Sequence, residues 1–157
     1  MATITDNLLK ELKNSKDIQA FFDENEDKFI KETPLSFLNH IIDIKNITVA
    51  QVAKISGSTD YVYKVFNGTR KPSRNILLAI AFGAELSFEE TQLLLRISKQ
   101  AILDSRDKRD SIIIYGLINH LSIYEVDDLL YKNALVTIKK HNWLLLYIRD
   151  SLRYNNL

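Results

Sequence analysis

Five side chains between positions 64 and 74 carry groups suited to phosphates or base edges: Lys64, Asn67, Arg70, Lys71 and Arg74. They lie in the stretch VAQVAKISGSTDYVYKVFNGTRKPSR, residues 49–74. Ammonium and guanidinium groups pair with phosphate oxygens, and a carboxamide can offer a donor and an acceptor together to one adenine edge. From Lys54 to Arg74 the only acid is Asp60. The chain as a whole has a formal net charge of +1, which by itself predicts no polyanionic partner. The distribution says more. Residues 1–32 are acidic on balance, with FDENED the densest part. The tail is basic, with Lys132, Lys139, Lys140, Arg149 and Arg153 against Asp150. The competing interpretation of these charges is solvated helix faces that differ in sign.

Other chemistries lack their residues. With no Cys there is no disulfide and no thiolate metal site. His40, His120 and His141 stand far apart, and none has a His or carboxylate at the i+4 spacing of a helical metal pair. No Gly-rich phosphate loop, nucleophile elbow or carboxylate–His set is present. The expectation is a non-enzyme with no cofactor, no metal and no evident small-molecule ligand. The start, MATITDNLLKELK, is amphipathic and lacks a signal-peptide apolar region. The runs SIIIYGLI and WLLLYI fall far short of the ~20 residues a membrane span needs. A soluble cytoplasmic protein without a membrane partner is expected.

The elements that must position the basic cluster are helical. Hydrophobic residues make up 46% of the chain, while only four Gly and two Pro punctuate it, which favours an all-α fold. A short helix is expected over 5–13, with Thr5 or Asp6 as cap, then a second capped by Ser15. Thr33 caps a third, with Pro34 in its first turn and Leu35, Leu38, Ile41 and Ile42 inward. Thr48 caps Val49–Ser56, with Val52 and Ile55 inward, and Gly57 supplies a left-handed stop. Ser58, Thr59 or Asp60 caps the next helix, which runs to about Asn67 before Gly68. Ser73 caps another, ended by Gly83. Capping boxes at Ser87–Glu90 and Ser122–Glu125 open two more, with a helix over 109–119 between them. The second of these boxes opens a helix with Val126, Leu129 and Leu130 inward. A last helix fits 138–153 around Trp143, Leu144 and Tyr147. Arg106, Lys108 and Arg109 are expected to form local ion pairs and caps.

Two short helices joined by a tight turn make a helix-turn-helix, whose second helix must be anchored on one side and polar on the other. Val62, Val65 and Phe66 share one face, and Asp60, Tyr63, Lys64 and Asn67 the opposite one. A DNA major groove admits one such helix. Asn67 is then placed to read adenine bidentately, Lys64 to reach guanine or phosphate, and Tyr63 to reach phosphate or a thymine methyl. Tyr61 and Tyr63 bracket Val62, so at least one should pack beside the anchoring stripe. Arg70, Lys71 and Arg74 follow where duplex backbone would pass.

Residues 35–82 resemble the helix-turn-helix domain of the Cro/CI repressor-like (XRE-like) family. The matching residues are IT before the first helix, VAxxxG at 52–57, FNGTRKPS at 66–73 and the apolar helix ILLAIAF. The wider chain resembles a bacterial branch with a YxYxxFxGxRKPS core, a LSFEETQLLL helix and a C-terminal RDSIIIYGL…LSIYEVDDLL segment, together covering about residues 6–132. The resemblance implies a lambda-repressor-like DNA-binding domain over 33–98, with an N-terminal helical extension (1–32) and a C-terminal helical segment (106–157). It implies Gln51 as a phosphate contact, Ser58 or Thr59 as the cap of the reading helix, Lys64 and Asn67 on its exposed face, and Arg70 and Lys71 on the backbone beyond. The function implied is sequence-specific double-stranded DNA binding in transcription regulation. Repressor-like domains commonly act as two-fold dimers, and the 138–153 helix is either a homodimer seam or the lid of its own core. The alternative function is a protein-interaction module that keeps the scaffold without DNA. Asp60 favours it, as does a Gly57-to-Gly68 segment about one residue shorter than the family pattern.

Overall fold

Short polar side chains begin most of these helices. The computed structural model describes residues 1–57, 59–139 and 151–152. Among these the regular elements are α1 (Ile4–Asn14), α2 (Ile18–Glu24), a 3₁₀ turn (Glu26–Lys28), α3 (Pro34–Lys45), α4 (Val49–Ser56), α5 (Thr59–Phe66), α6 (Arg74–Gly83), α7 (Phe88–Ile97), α8 (Lys108–Ile118) and α9 (Ile123–Lys132). No strand occurs among the described residues, so the fold is all-α. No helix among them is long and apolar enough to cross a membrane. Thr33, Thr48, Ser73, Ser87 and Ser122 cap α3, α4, α6, α7 and α9. Each hydroxyl satisfies one of the N–H groups that a helix start leaves without an internal partner.

The chain divides into two compact units, Met1–Glu32 and Thr33–Leu157. In the first, the cap of α1 is Thr3 rather than Thr5 or Asp6, because Asp6 serves as the returning acid of a capping box with Thr3. Asp17, not Ser15, caps α2, its carboxylate accepting from the N–H groups of Gln19 and Ala20. No residue of α1 is buried. Phe21, Phe22 and Phe29 form a small aromatic cluster in which Phe29 meets the other two rings edge-on, its centre 5.6 Å from that of Phe22.

The second unit has one continuous core. It draws Leu38 and Ile41 from α3, Val52 from α4, Val62 from α5, Leu77 and Ile80 from α6, Leu94 from α7, Ile113 from α8 and Val126 and Leu130 from α9. Segments 33–98 and 106–139 therefore bury side chains together. Burying each such side chain contributes ~1.5–3 kcal/mol. The α6 helix is central, with Leu77 through Gly83 all buried.

Further departures from the sequence expectation lie at Ile55, at Gly83 and at Ile138 and Lys139. Ile55 is 38% exposed, and Ala53 and Ser56 are buried in its stead, so the apolar stripe of α4 is rotated toward its small residues. Gly83 has no left-handed φ; a Cβ there would lie 2.8 Å from the Val52 carbonyl oxygen, so this glycine lets α6 approach α4. Ile138 and Lys139 are non-helical. Ile138 is buried, and its N–H donates to the Asp127 carboxylate at 2.6 Å. Trp143, Leu144 and Tyr147 lie outside the described residues.

Candidate nucleic-acid interface

The turn between α4 and α5 is set by Gly57, at φ +69° in the left-handed region that favours glycine. It follows Thr48, whose hydroxyl accepts the Gln51 N–H while the Gln51 carboxamide oxygen accepts the Thr48 N–H at 2.7 Å. Gln51 is exposed, but its oxygen is committed to the cap and only its –NH₂ remains to meet a phosphate.

The α5 helix is pinned by Val62, Val65 and Phe66, all buried. Thr59, Asp60, Tyr63, Lys64 and Asn67 are exposed. At 3.6 residues per turn, Asp60 sits near the middle of this exposed arc and Tyr61 and Lys64 on one flank. Ser58 lies outside the described residues.

After α5 the chain reverses tightly. The Lys64 carbonyl accepts the Thr69 and Arg70 N–H groups at 3.0 and 3.1 Å, and Gly68 has φ +77°. Asn67 holds this reversal. Its side-chain oxygen accepts the Thr69 N–H at 3.0 Å and the Thr69 hydroxyl at 2.6 Å. A carboxamide oxygen has two lone pairs, so Asn67 in this conformation has no acceptor left for adenine N6. The bidentate adenine contact expected of Asn67 conflicts with this turn; its –NH₂ alone remains.

Tyr61 holds the next residues. Its hydroxyl donates to the Lys71 carbonyl at 3.1 Å, and the Arg70 guanidinium stacks 4.7 Å from its ring centre. Tyr61 is half-buried and Tyr63 exposed, so of the two tyrosines Tyr61 is the packed one. Arg70 and Lys71 are exposed. Among the described residues no carboxylate pairs with Lys54, Lys64, Arg70 or Lys71.

Arg74 does not join them. Its Nε donates to the Ala101 carbonyl at 2.8 Å, and its two terminal nitrogens reach the Asp110 carboxylate at 3.1 and 2.8 Å. Asp110 is buried and also accepts the Asp104 N–H at 3.1 Å. The guanidinium expected on phosphate is a tie between α6 and α8, and it leaves the candidate set.

Arg109 departs in the same way from the local pairing expected of it. It donates to the Val136 carbonyl at 2.7 Å and to the Asn75 side-chain oxygen at 2.8 Å. Burial, then the nearby Arg74 charge, push its pKa down, against the pull of Asp110, Asp127 and Asp107. Arg106 does pair locally, with Asp104 at 2.9 Å.

The geometry brings Thr59, Lys64 and Arg70 to one depression, while Tyr63 on α5, Lys71 on the reversal and Gln51 at the start of α4 are exposed. Tyr61 is an addition that spacing alone left undecided; its place on the flank of α5, beside the reversal, was the available signal. The shallow depression formed by Thr59, Asp60, Tyr61, Lys64 and Arg70 is open to solvent. Against known proteins the chain returns no match: no family model, no curated protein and no solved structure. Any functional reading rests on the residues and their arrangement.

Proposed function

We propose that the protein is a sequence-specific double-stranded DNA-binding regulator of the Cro/CI-like helix-turn-helix type, with α5 as the reading helix. The observation that carries this is α5 itself: a short helix anchored by three buried apolar side chains, with its polar side open and two cations exposed on the reversal beyond it. Lys64 and Tyr63 face the base edges. Arg70, Lys71 and the Gln51 amide bind phosphates, which fix position and orientation. The stacking of Arg70 on Tyr61 restricts the guanidinium before binding and lowers the ordering cost. Asn67 acts by shaping the reversal.

Asp60 favours a second reading. A carboxylate in the middle of the exposed arc, with no ion pair among the described residues, suits a basic protein partner better than a phosphate backbone.

Genomic fragments selected on the 157-residue chain at two salt concentrations separate the two. The first reading expects enriched fragments with a common sequence and an affinity that falls steeply with salt. It also expects Arg70→Ala to weaken all sequences alike and Lys64→Ala to change the preferred sequence. No enrichment at low salt would overturn it.

A further inference from the structure

The stretch 136–139 runs beside the α4–α5 turn. A Cβ added at Gly57 would overlap the end of the Lys139 side chain. The Lys139 backbone is fixed from below, where the buried Asp127 carboxylate accepts the N–H groups of Ile138 and Lys139 at 2.6 and 3.0 Å. Arg109 grips the same stretch through the Val136 carbonyl. The Lys139 side chain is restrained as well, its ammonium 4.1 Å from the ring centre of Tyr124. Among the described residues no carboxylate pairs with it. A lysine held at both ends gives up less rotamer freedom when it meets an anion.

Its neighbours tie it to the candidate interface. A cleft of about 410 Å³ has Gly57, Tyr61, Ser73 and Lys139 among its walls. Tyr61 also lines the open depression that holds Lys64 and Arg70. The cleft that Lys139 lines and the depression that Arg70 and Lys64 line therefore share Tyr61 as a common wall. Duplex phosphates recur along a strand as a row of negative charges, each a partner for one such cation.

We infer that Lys139 is a phosphate contact, so that the C-terminal half supplies part of the duplex interface and Asp127 is the residue that positions it. This rests on the duplex-binding reading above. The competing role is structural, with Lys139 doing no more than packing against Tyr124.

The test is the slope of log affinity against log salt for a duplex of the selected sequence, using the parent 157-residue chain and Lys139→Gln. Each phosphate contact contributes about 0.9 to that slope. Lys139→Gln should lower the slope by about 0.9 and weaken binding roughly five- to tenfold at ~0.1 M salt. A properly folded Lys139→Gln with the wild-type slope would overturn the inference and leave the duplex reading standing. Wild-type protein that binds no duplex at low salt would overturn both. A measurement on unmodified protein covers the case in which the variant misfolds. Amine acylation followed by mass spectrometry should find Lys139 protected by duplex alongside Lys64 and Lys71. Protection of Lys64 and Lys71 with full reactivity at Lys139 would refute the contact.

Discussion

Asp60 acts in opposite directions on folding and on the proposed binding. In the first turn of α5 its carboxylate complements the helix dipole, an effect of ~0.3–1 kcal/mol. In the middle of the exposed arc it repels phosphates. Asp60→Asn should therefore tighten duplex binding about fivefold at ~0.1 M salt while lowering the thermal midpoint by ~1–2 °C. The two measurements, titration and thermal unfolding, are independent. Tighter binding with slightly lower stability places α5 against DNA; weaker binding to a co-purified basic protein would support the interaction-module reading instead. Asn67 makes a related point. Its residue type and spacing suit base reading, yet both lone pairs of its oxygen are taken by Thr69. A sequence gives the groups a side chain carries, and its neighbours decide which of them stay available.

Helices record their starts in local sequence, because a cap and its partner lie three residues apart. That is why the caps Thr33, Thr48, Ser73, Ser87 and Ser122 were legible, along with the boxes closed by Glu90 and Glu125. At the first helix the sequence pattern pointed to Thr5 or Asp6 and missed Thr3, because Asp6 serves as the returning acid rather than as the cap. The Ser122–Glu125 box also makes a pH prediction. Hydrogen bonds from Ser122, its N–H foremost, hold the Glu125 carboxyl below the usual glutamate pKa. A lowered folded-state pKa adds stability that is complete above the unfolded value, ~4.3, and is lost as pH falls through the folded one. Glutamine keeps the accepting oxygen of the box and cannot titrate. Glu125→Gln should therefore unfold with a shallower dependence of thermal midpoint on pH below ~4.3 than the parent. Parallel curves for the two proteins would show that the box contributes nothing that titrates.

At the scale of the whole second unit, the contacts that matter most join residues far apart in sequence. The all-α class and the anchoring stripe of α5 follow from composition and spacing. The destination of Arg74 does not: in sequence it continues the run of Arg70 and Lys71, while its partner Asp110 is 36 residues away. The same holds for Lys139, whose position depends on Asp127, and for Arg109, which reaches Asn75 and Val136. Arg74 then supplies a test of how tightly the two halves are joined. Replacing it with Met leaves the Asp110 carboxylate, 10% exposed, with the Asp104 N–H as its hydrogen-bond donor among the described residues. Removing one partner of a buried pair costs ~3–5 kcal/mol, and the partial exposure of this one suggests about 3 kcal/mol by urea unfolding. Adding Asp110→Asn removes the stranded charge and keeps an acceptor for the Asp104 N–H, so the double variant should regain much of that loss. Because Arg74 is an internal tie, the double variant should also bind duplex with the parent's salt slope. A slope lower by about 0.9 would return Arg74 to the phosphate contacts and overturn its structural assignment.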